Sequence, residues 1–215
     1  CGQCVAVCPT EARQMSGRLY PVPELIEEVR RDEVYHHQSR GGVTFSGGEP
    51  LTVGNAPFVL QSLAELSRHG IHTAVDTCGQ VSSDLLLHAA SLADLILYDL
   101  KIMDSKKHQE STGTGNERIH ENLHLLMEKD TPVWVRVPLI PGHTNDEENL
   151  DAMADFLMGL PRRPRVSLLP FHATGGDKYG RLGLDNKMNN IPSMTAPQLR
   201  LCQDYMRARG LEVEE

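Results

Sequence analysis

Positive charge is scarce in this sequence, and long apolar runs are absent. Lysine and arginine number 21 against 29 aspartates and glutamates, which gives a formal net charge of −8. Domains that bind nucleic acids usually carry a basic stripe, so this balance argues against a nucleic-acid partner. No apolar stretch approaches the roughly 20 residues that a membrane-spanning helix needs. We therefore expect neither nucleic acid nor membrane among the partners of this chain.

The cysteines do not form an even set. The sequence has five, and three of them fall within the first eight positions. A disulfide framework uses cysteines in pairs, whereas crowded thiols suit a metal in a reducing compartment, so we expect a cytoplasmic protein. The chain also begins without an initiator methionine or a signal peptide. We therefore expect its N-terminus to be truncated.

The first three cysteines follow a spacing typical of iron–sulfur proteins. Cys1, Cys4 and Cys8, with Pro9 after them, give C-x2-C-x3-C-P. This is the end of the bacterial ferredoxin run C-x2-C-x2-C-x3-C-P without its first cysteine. A zinc site and a chance cysteine-rich terminus are the alternatives, and the spacing with its trailing proline favours a [4Fe–4S] cluster. We predict that all three thiols are metal ligands, with Cys8 serving a cluster whose other ligands lie upstream.

Along the chain, short continuous apolar runs alternate with segments in which apolar residues recur at helical spacing. Short buried strands are predicted at 43–45, 71–75, 95–100, 133–140 and 166–169. Helical stripes are predicted at 23–35, 56–69, 83–92, 116–129, 149–160 and 196–209. One helix followed by five strand–helix units predicts an α/β fold with parallel strands, either a barrel or an open sheet. The segment 174–193, rich in Gly, Asn and Asp, is predicted to be a lid or substrate loop.

Polar residues or glycines follow each predicted strand. Ligands of parallel sheets bind at the carboxyl ends of the strands, where the loops begin. The residues at or next to these ends are Gly47, Gly48, Glu49, Asp76, Asp99, Lys101 and His172, while the fourth strand carries Arg136 and ends at Pro141, Gly142 and His143. Taken singly, each residue has a structural explanation that needs no ligand. An aspartate after a strand is often a turn residue, and Arg136 would pair with Glu49 or Asp99. Five such strand ends in succession predict a site for a polar ligand that carries both positive and negative groups.

Five segments at these strand ends form an ordered set. They are GGVTFSGGEP at 41–50, DTCG at 76–79, YDLK at 98–101, RVPLIPG at 136–142 and LPFH at 169–172. In this order and at this spacing they resemble the glycyl-radical enzyme activating enzymes, a radical S-adenosylmethionine family that includes pyruvate formate-lyase activating enzyme. The GGE segment alone is a weak match, whereas the ordered set is specific.

The resemblance implies a fold and a domain arrangement. Residues 21–215 would form a partial (β/α) barrel of the radical S-adenosylmethionine type that lacks its first strand. Residues 1–20 would be the remnant of a ferredoxin-like insert, which some members carry and which favours an activator of a dehydratase, decarboxylase or C–N lyase. The family motif C-x3-C-x2-C, which holds the catalytic cluster, is absent, and Cys78 and Cys202 do not replace it. We therefore expect this chain alone to be an inactive fragment.

The resemblance also implies roles for the strand-end residues. Gly47, Gly48 and Glu49 would bind the amino end of S-adenosylmethionine, and His172 would face its nucleoside. Residues 99–101 would line the methionyl side, with Asp76 and a monovalent cation nearby. The implied cofactor-binding set is Gly47, Gly48, Glu49, Asp76, Asp99, Leu100, Lys101, Arg136 and His172.

The implied reaction is the one-electron cleavage of S-adenosylmethionine by a [4Fe–4S] cluster. The resulting 5′-deoxyadenosyl radical would remove a hydrogen from a glycine of a glycyl-radical enzyme, with a flavodoxin or ferredoxin as electron donor. Two alternatives stay open: a radical S-adenosylmethionine enzyme that acts on a small molecule, and an iron–sulfur electron-transfer module. The polar strand ends argue against the second, because an electron carrier does not need them.

Overall fold

A computed structural model of the chain describes residues 3–13, 15, 19–173, 183, 185, 188 and 190–214. Within them, five strands form one sheet in the order β1-β2-β3-β4-β5, and every neighbouring pair is parallel. The strands are β1 (Gly42–Phe45), β2 (His72–Thr77), β3 (Leu95–Asp99), β4 (Val133–Leu139) and β5 (Arg165–Pro170). The predicted α/β fold with parallel strands is confirmed, with small shifts at the strand ends.

Helices precede the sheet and connect its strands. They are α1 (Gln3–Ala6), α2 (Val22–Arg31), α3 (Glu33–Ser39), α4 (Ala56–Arg68), α5 (Ser83–Leu92), α6 (Ser105–Thr112), α7 (Glu117–Met127), α8 (Glu147–Met158) and α9 (Ala196–Ala208). Parallel neighbours require such crossover connections. Among the residues described, no helix is long and apolar enough to cross a membrane.

The predicted helix 23–35 is two helices, α2 and α3, which meet at Asp32. The backbone of Asp32 leaves the helical region at φ −97° and ψ 9°, and its N–H donates to the Val29 carbonyl at 3.1 Å. Helix α2 buries Val22 and Ile26, whereas α3 buries no residue. Because the apolar stripe ends before Asp32, packing does not hold the two parts in one straight helix.

Helix α6 was not predicted, because its sequence has no apolar stripe. Its single buried residue is His108. The signals lie instead at its two ends. The Asp104 side chain accepts from the Lys107 N–H at 2.7 Å, and Gly113 takes a left-handed conformation with φ +90° directly after the last turn. These are standard helix-capping features, so capping rather than hydrophobic periodicity defines this helix.

The two faces of the sheet differ in burial. Fully buried residues on one face are Val75, Ile96, Tyr98, Val135, Val137 and Val166. Side chains alternate along a strand, so the residues between these point to the opposite face. That face carries residues that are only partly buried, namely Asp76, Leu97, Asp99, Trp134 and Arg136. The sheet thus packs one side against helices and leaves polar groups accessible on the other.

Residues near the C-terminus extend the sheet beyond β5. Val213 forms a parallel bridge with Val166. The Val166 N–H donates to the Glu212 carbonyl, and the Glu214 N–H donates to the Val166 carbonyl, both at 2.9 Å. The free edge of β5 is therefore paired over part of its length.

Candidate functional site

One guanidinium joins the ends of three strands on the accessible face. Asp99 lies opposite Arg136 in the β3–β4 register, and Asp76 lies opposite Leu97, two residues before Asp99. Arg136 donates to Asp99 Oδ1 from Nε at 3.1 Å and from Nη2 at 2.8 Å, and Nη2 also donates to Asp76 Oδ1. The pairing of Arg136 with Asp99 that the sequence suggested is present, and Asp76 shares it.

Lys101 and Ser46 extend this cluster to both sides. Lys101 Nζ lies 3.4 Å from Asp99 Oδ2, and Ser46 Oγ donates to Asp76 Oδ2 at 2.9 Å. The contact of Lys101 is long for a hydrogen bond, and its side chain is 34% exposed. Lys101 is therefore free to turn toward an anionic group of a ligand without losing a strong internal bond.

Glu49 is held by four donors from the protein. Its Oε1 accepts from the Leu51 N–H at 3.2 Å and from Thr77 Oγ1 at 2.8 Å. Its Oε2 accepts from the N–H of Cys78 at 3.0 Å and from the thiol of Cys78 at 3.2 Å. A carboxylate offers about four acceptor sites, so these donors occupy them. Glu49 thus ties the end of β1 to the end of β2, and its predicted contact with a ligand ammonium stays a prediction.

Cys78 keeps its proton in this environment. Burial raises the pKa of its thiol, and the hydrogen bond to Glu49 and the negative charge of that carboxylate raise the pKa further. A protonated thiol is the form that donates to Glu49. The sequence indicated Cys78 only as a small residue after a strand, since no local pattern reports a partner that is 29 positions away.

Replacing Thr77 by valine should lower the free energy of unfolding by about 1–2 kcal/mol, because a buried hydroxyl with two hydrogen bonds is lost. Thr77 is 2% exposed, donates to Glu49 and accepts from the Gly79 N–H at 3.0 Å. Urea unfolding measures the effect. Thr73→Val is the matched control, since Thr73 is fully buried on the same strand but its hydroxyl makes one weaker bond, to Asp94 at 3.2 Å. Equal losses in the two variants would contradict this account of Glu49.

Space is open on the side of Gly47 and Gly48 where a side chain would begin. Among the described residues, a Cβ atom placed on either glycine would meet no atom within 4 Å outside that glycine and its two chain neighbours. Gly47 also has φ +131°, a region that side chains strongly disfavour. A ligand is therefore able to reach this stretch of main chain, while the binding role itself remains a prediction.

Leu100 and His172 occupy different surroundings. Leu100 is 1% exposed, so its side chain belongs to the core, and its N–H donates to the Arg136 carbonyl at 3.0 Å. His172 is exposed just beyond β5. Beside it, the Met194 N–H donates to the Phe171 carbonyl and the Ala173 N–H to Ser193 Oγ, both at 2.9 Å, which closes the base of the loop. Most of the predicted lid loop 174–193 lies outside the described residues.

The predicted metal ligands are only partly described. Cys1 lies outside the described residues, and Cys4 is exposed. The pKa of Cys8 is lowered, first by its contact with the Thr10 hydroxyl at 3.7 Å and then by backbone N–H groups of Thr10, Arg13 and Ala12. In the part of the chain that the structure describes, no three His, Cys, Asp or Glu side chains converge on a metal site. The three-cysteine ligand set therefore stays a prediction.

Comparison with protein families gives one match that covers most of this region. The Radical SAM superfamily matches residues 7–156. These residues include β1 to β4 and the cluster of Asp76, Asp99, Lys101 and Arg136. The match therefore contains the strand ends at which the polar groups meet.

Individual relatives are activating enzymes. The isethionate sulfite-lyase activating enzyme of Desulfovibrio desulfuricans is 37% identical over 190 residues, which are 87% of this chain and 60% of that protein. The pyruvate formate-lyase 2-activating enzyme of Escherichia coli is 35% identical over an alignment of 216 positions, which covers 99% of this chain and 73% of that protein. The chain thus spans less than two thirds of the first relative.

A solved structure agrees with these relatives. It is a domain of pyruvate-formate lyase-activating enzyme from Bacteroides vulgatus, with a TM-score of 0.67 and 34% sequence identity. The alignment covers 81% of this chain and 98% of that domain. The two chains therefore share one fold over nearly the whole of that domain.

Proposed function

This chain belongs to the radical SAM superfamily, among the activating enzymes of glycyl-radical enzymes, and we propose that the complete protein generates a glycyl radical on a partner enzyme. The observation that carries the proposal is the convergence of Asp76, Asp99, Lys101 and Arg136 beside the open Gly47–Gly48 backbone. This is the carboxyl edge of a parallel sheet, where such folds bind ligands. Since the chain spans only part of its relatives, the activity is proposed for the complete protein.

The radical SAM family uses S-adenosylmethionine and a [4Fe–4S] cluster, which together supply a 5′-deoxyadenosyl radical by one-electron cleavage. The methionyl end of this cofactor is a zwitterion and needs acceptors for its ammonium and donors for its carboxylate. The strand ends offer both, because space is open beside Gly47 and Gly48 and because, among the described residues, the Lys101 ammonium makes a single long contact. The residues present therefore fit the cofactor.

Each strand end has a proposed task at that cofactor. Gly47 and Gly48 present backbone acceptors to the amino end, and Glu49 anchors their loop through its four hydrogen bonds. Lys101 donates to the methionyl carboxylate. Arg136 binds Oδ1 of both Asp76 and Asp99, so it fixes the two carboxylates. Asp99 Oδ2 makes a long contact with Lys101. The Leu100 backbone lines the same side, and His172 faces the nucleoside.

The N-terminal cysteines support a second, auxiliary site. We propose that residues 1–20 are the remnant of a ferredoxin-like insert and that residues 21–215 are the partial barrel. Hydrogen bonds that lower the pKa of Cys8 favour its thiolate, which is the form that binds iron. The proposed location is the cytoplasm, where such thiols stay reduced. The proposed electron donor is a flavodoxin or a ferredoxin.

The activity is tested on the full-length protein after anaerobic reconstitution with iron and sulfide. We expect the reduced protein to cleave S-adenosylmethionine to 5′-deoxyadenosine and to produce a glycyl-radical signal in electron paramagnetic resonance when the partner enzyme is added. A cluster that is reduced without any cleavage would support an electron-transfer module and refute the proposal. Cleavage coupled to hydrogen abstraction from a small molecule would support the alternative enzyme.

Replacing Lys101 by alanine should weaken S-adenosylmethionine binding about tenfold, because a charge-assisted hydrogen bond to the carboxylate is lost. His172→Ala should also weaken S-adenosylmethionine binding, because the contact with the nucleoside is lost. Titration calorimetry on the reconstituted protein measures both affinities. Lys107→Ala is the control, since it removes the same charge from a lysine that pairs with Glu148 at 3.0 Å instead. Parent-like affinity in Lys101→Ala would refute its assignment.

A further inference from the structure

Three buried asparagines each use both amide hydrogens on carbonyl groups of the strand-end loops. Asn116, Asn122 and Asn149 are 3%, 0% and 8% exposed. A buried amide in or beside a helix is unfavourable for helix formation and for solvation unless it makes hydrogen bonds. All three asparagines make their hydrogen bonds to groups outside their own helices. Their burial is therefore explained by the loops that they contact.

Asn149, in the first turn of α8, connects the loops after β3 and β4. Its Nδ2 donates to the Lys101 carbonyl at 3.0 Å and to the Thr144 carbonyl at 2.9 Å. Its Oδ1 accepts from the Met103 N–H at 2.8 Å. The side chain thus satisfies three backbone groups of two loops that have no regular structure of their own.

Asn116 completes the hold on the loop after β3. It stands at the N-cap of α7, a position where asparagine normally caps its own helix, yet no capping bond is made. Its Nδ2 donates instead to the carbonyls of Ile102 and Met103, both at 2.8 Å. Three consecutive carbonyls, those of residues 101 to 103, are therefore bound by amides from two different helices.

Asn122 makes the equivalent contacts one loop away. Its Nδ2 donates to the Gly79 carbonyl at 2.8 Å and to the Val81 carbonyl at 2.9 Å. The segment 79–81 contains none of the proposed cofactor-binding residues. Asn122 therefore shares with Asn149 the two N–H bonds to loop carbonyls, although among the described residues its buried Oδ1 accepts no hydrogen bond, whereas Asn149 Oδ1 accepts from Met103. The loop that Asn122 holds lies outside the proposed cofactor site.

We infer that Asn149, assisted by Asn116, is a positioning residue for the methionyl side of the S-adenosylmethionine site. The inference rests on the proposed function. Because the Lys101 ammonium makes a single long contact, at 3.4 Å, within the part of the chain that the structure describes, its location depends on the backbone that carries it. The asparagines fix that backbone before the ligand arrives, so only the Lys101 side chain has to become ordered on binding.

The test compares Asn149→Asp with Asn122→Asp in the reconstituted full-length protein. Aspartate keeps the shape and the acceptor but removes both donors and sets a carboxylate against two carbonyls. Both variants should lower the melting temperature. Only Asn149→Asp should weaken S-adenosylmethionine affinity, by about tenfold, and speed amide hydrogen exchange in the segment 99–104. If either aspartate variant does not fold, Asn149→Ser and Asn122→Ser, whose hydroxyl keeps one donor, are compared instead.

The outcomes separate this inference from the proposed function. Equal losses of affinity in the two variants, or a parent-like affinity in Asn149→Asp, would overturn the positioning role. A parent protein that binds no S-adenosylmethionine would refute the proposed function instead. In that case hydrogen exchange still tests whether Asn149 holds the loop, because this measurement needs no cofactor. Unchanged amide exchange in the segment 99–104 of Asn149→Asp would show that Asn149 does not hold it.

Discussion

Replacing Gly48 by valine should leave the protein folded and remove most of its S-adenosylmethionine binding. A Cβ atom at Gly48 meets no atom within 4 Å among the described residues beyond its chain neighbours, and the Gly48 backbone does not require a left-handed conformation. The valine would fill the space proposed for the amino end of the cofactor. Forcing such an overlap should weaken affinity by at least about tenfold, and misplacement of the bound cofactor should slow cleavage about a hundredfold. Titration calorimetry and 5′-deoxyadenosine formation measure the two effects.

Gly54→Val is the matched control for this experiment. Gly54 lies in the same loop after β1, and a Cβ atom there also meets nothing within 4 Å. We expect parent-like binding and stability in this variant. Normal binding in Gly48→Val would show that the ligand does not approach this backbone. Loss of binding in both variants would point to loop order rather than to direct contact. Gly47 is unsuitable as a probe, because its φ of +131° adds strain to any substitution.

The sheet was predictable because its strands are short apolar runs with β-branched residues, separated by helical stripes. These patterns depend only on neighbours in the sequence. The break at Asp32 and the polar helix α6 were not predicted, because both depend on local backbone geometry and capping where no apolar stripe exists. A search for an aspartate N-cap followed by a glycine C-cap would have indicated α6.

The candidate site was predictable as a set of positions rather than as a set of contacts. Parallel topology brings strand ends to one edge, so Asp76, Asp99 and Arg136 were expected there. That one guanidinium would bind both carboxylates depends on the β3–β4 register and on side-chain conformation, which sequence patterns do not specify. The predicted helices 116–129 and 149–160 begin with asparagines, as helix starts often do, and nothing local distinguishes a cap from a contact with a distant loop.

Replacing Arg136 by methionine should lower the free energy of unfolding by about 3 kcal/mol and weaken cofactor binding. Methionine keeps the apolar stem but leaves Asp76 and Asp99, whose side chains are 17% and 21% exposed, without their shared counter-charge. Removing one partner from a mostly buried ion pair leaves an uncompensated charge, which is more costly than the pair itself was favourable. Urea unfolding measures the loss of stability, and calorimetry measures the loss of affinity.

Arg209→Met is the control that shows whether the effect of Arg136→Met depends on the location of the arginine at the strand ends or on the loss of any arginine that binds two carboxylates. Arg209 also joins two carboxylates, those of Asp151 and Asp155, but it links α9 to α8 away from the strand ends, and Asp155 is 74% exposed. Solvent screens such a pair, so we expect a smaller loss of stability and parent-like cofactor affinity. If Arg136→Met were no less stable than Arg209→Met, Arg136 would not be the structural link between β2, β3 and β4. If it lost stability but bound the cofactor normally, the carboxylates would be held for the fold alone and the ligand would lie elsewhere on the edge.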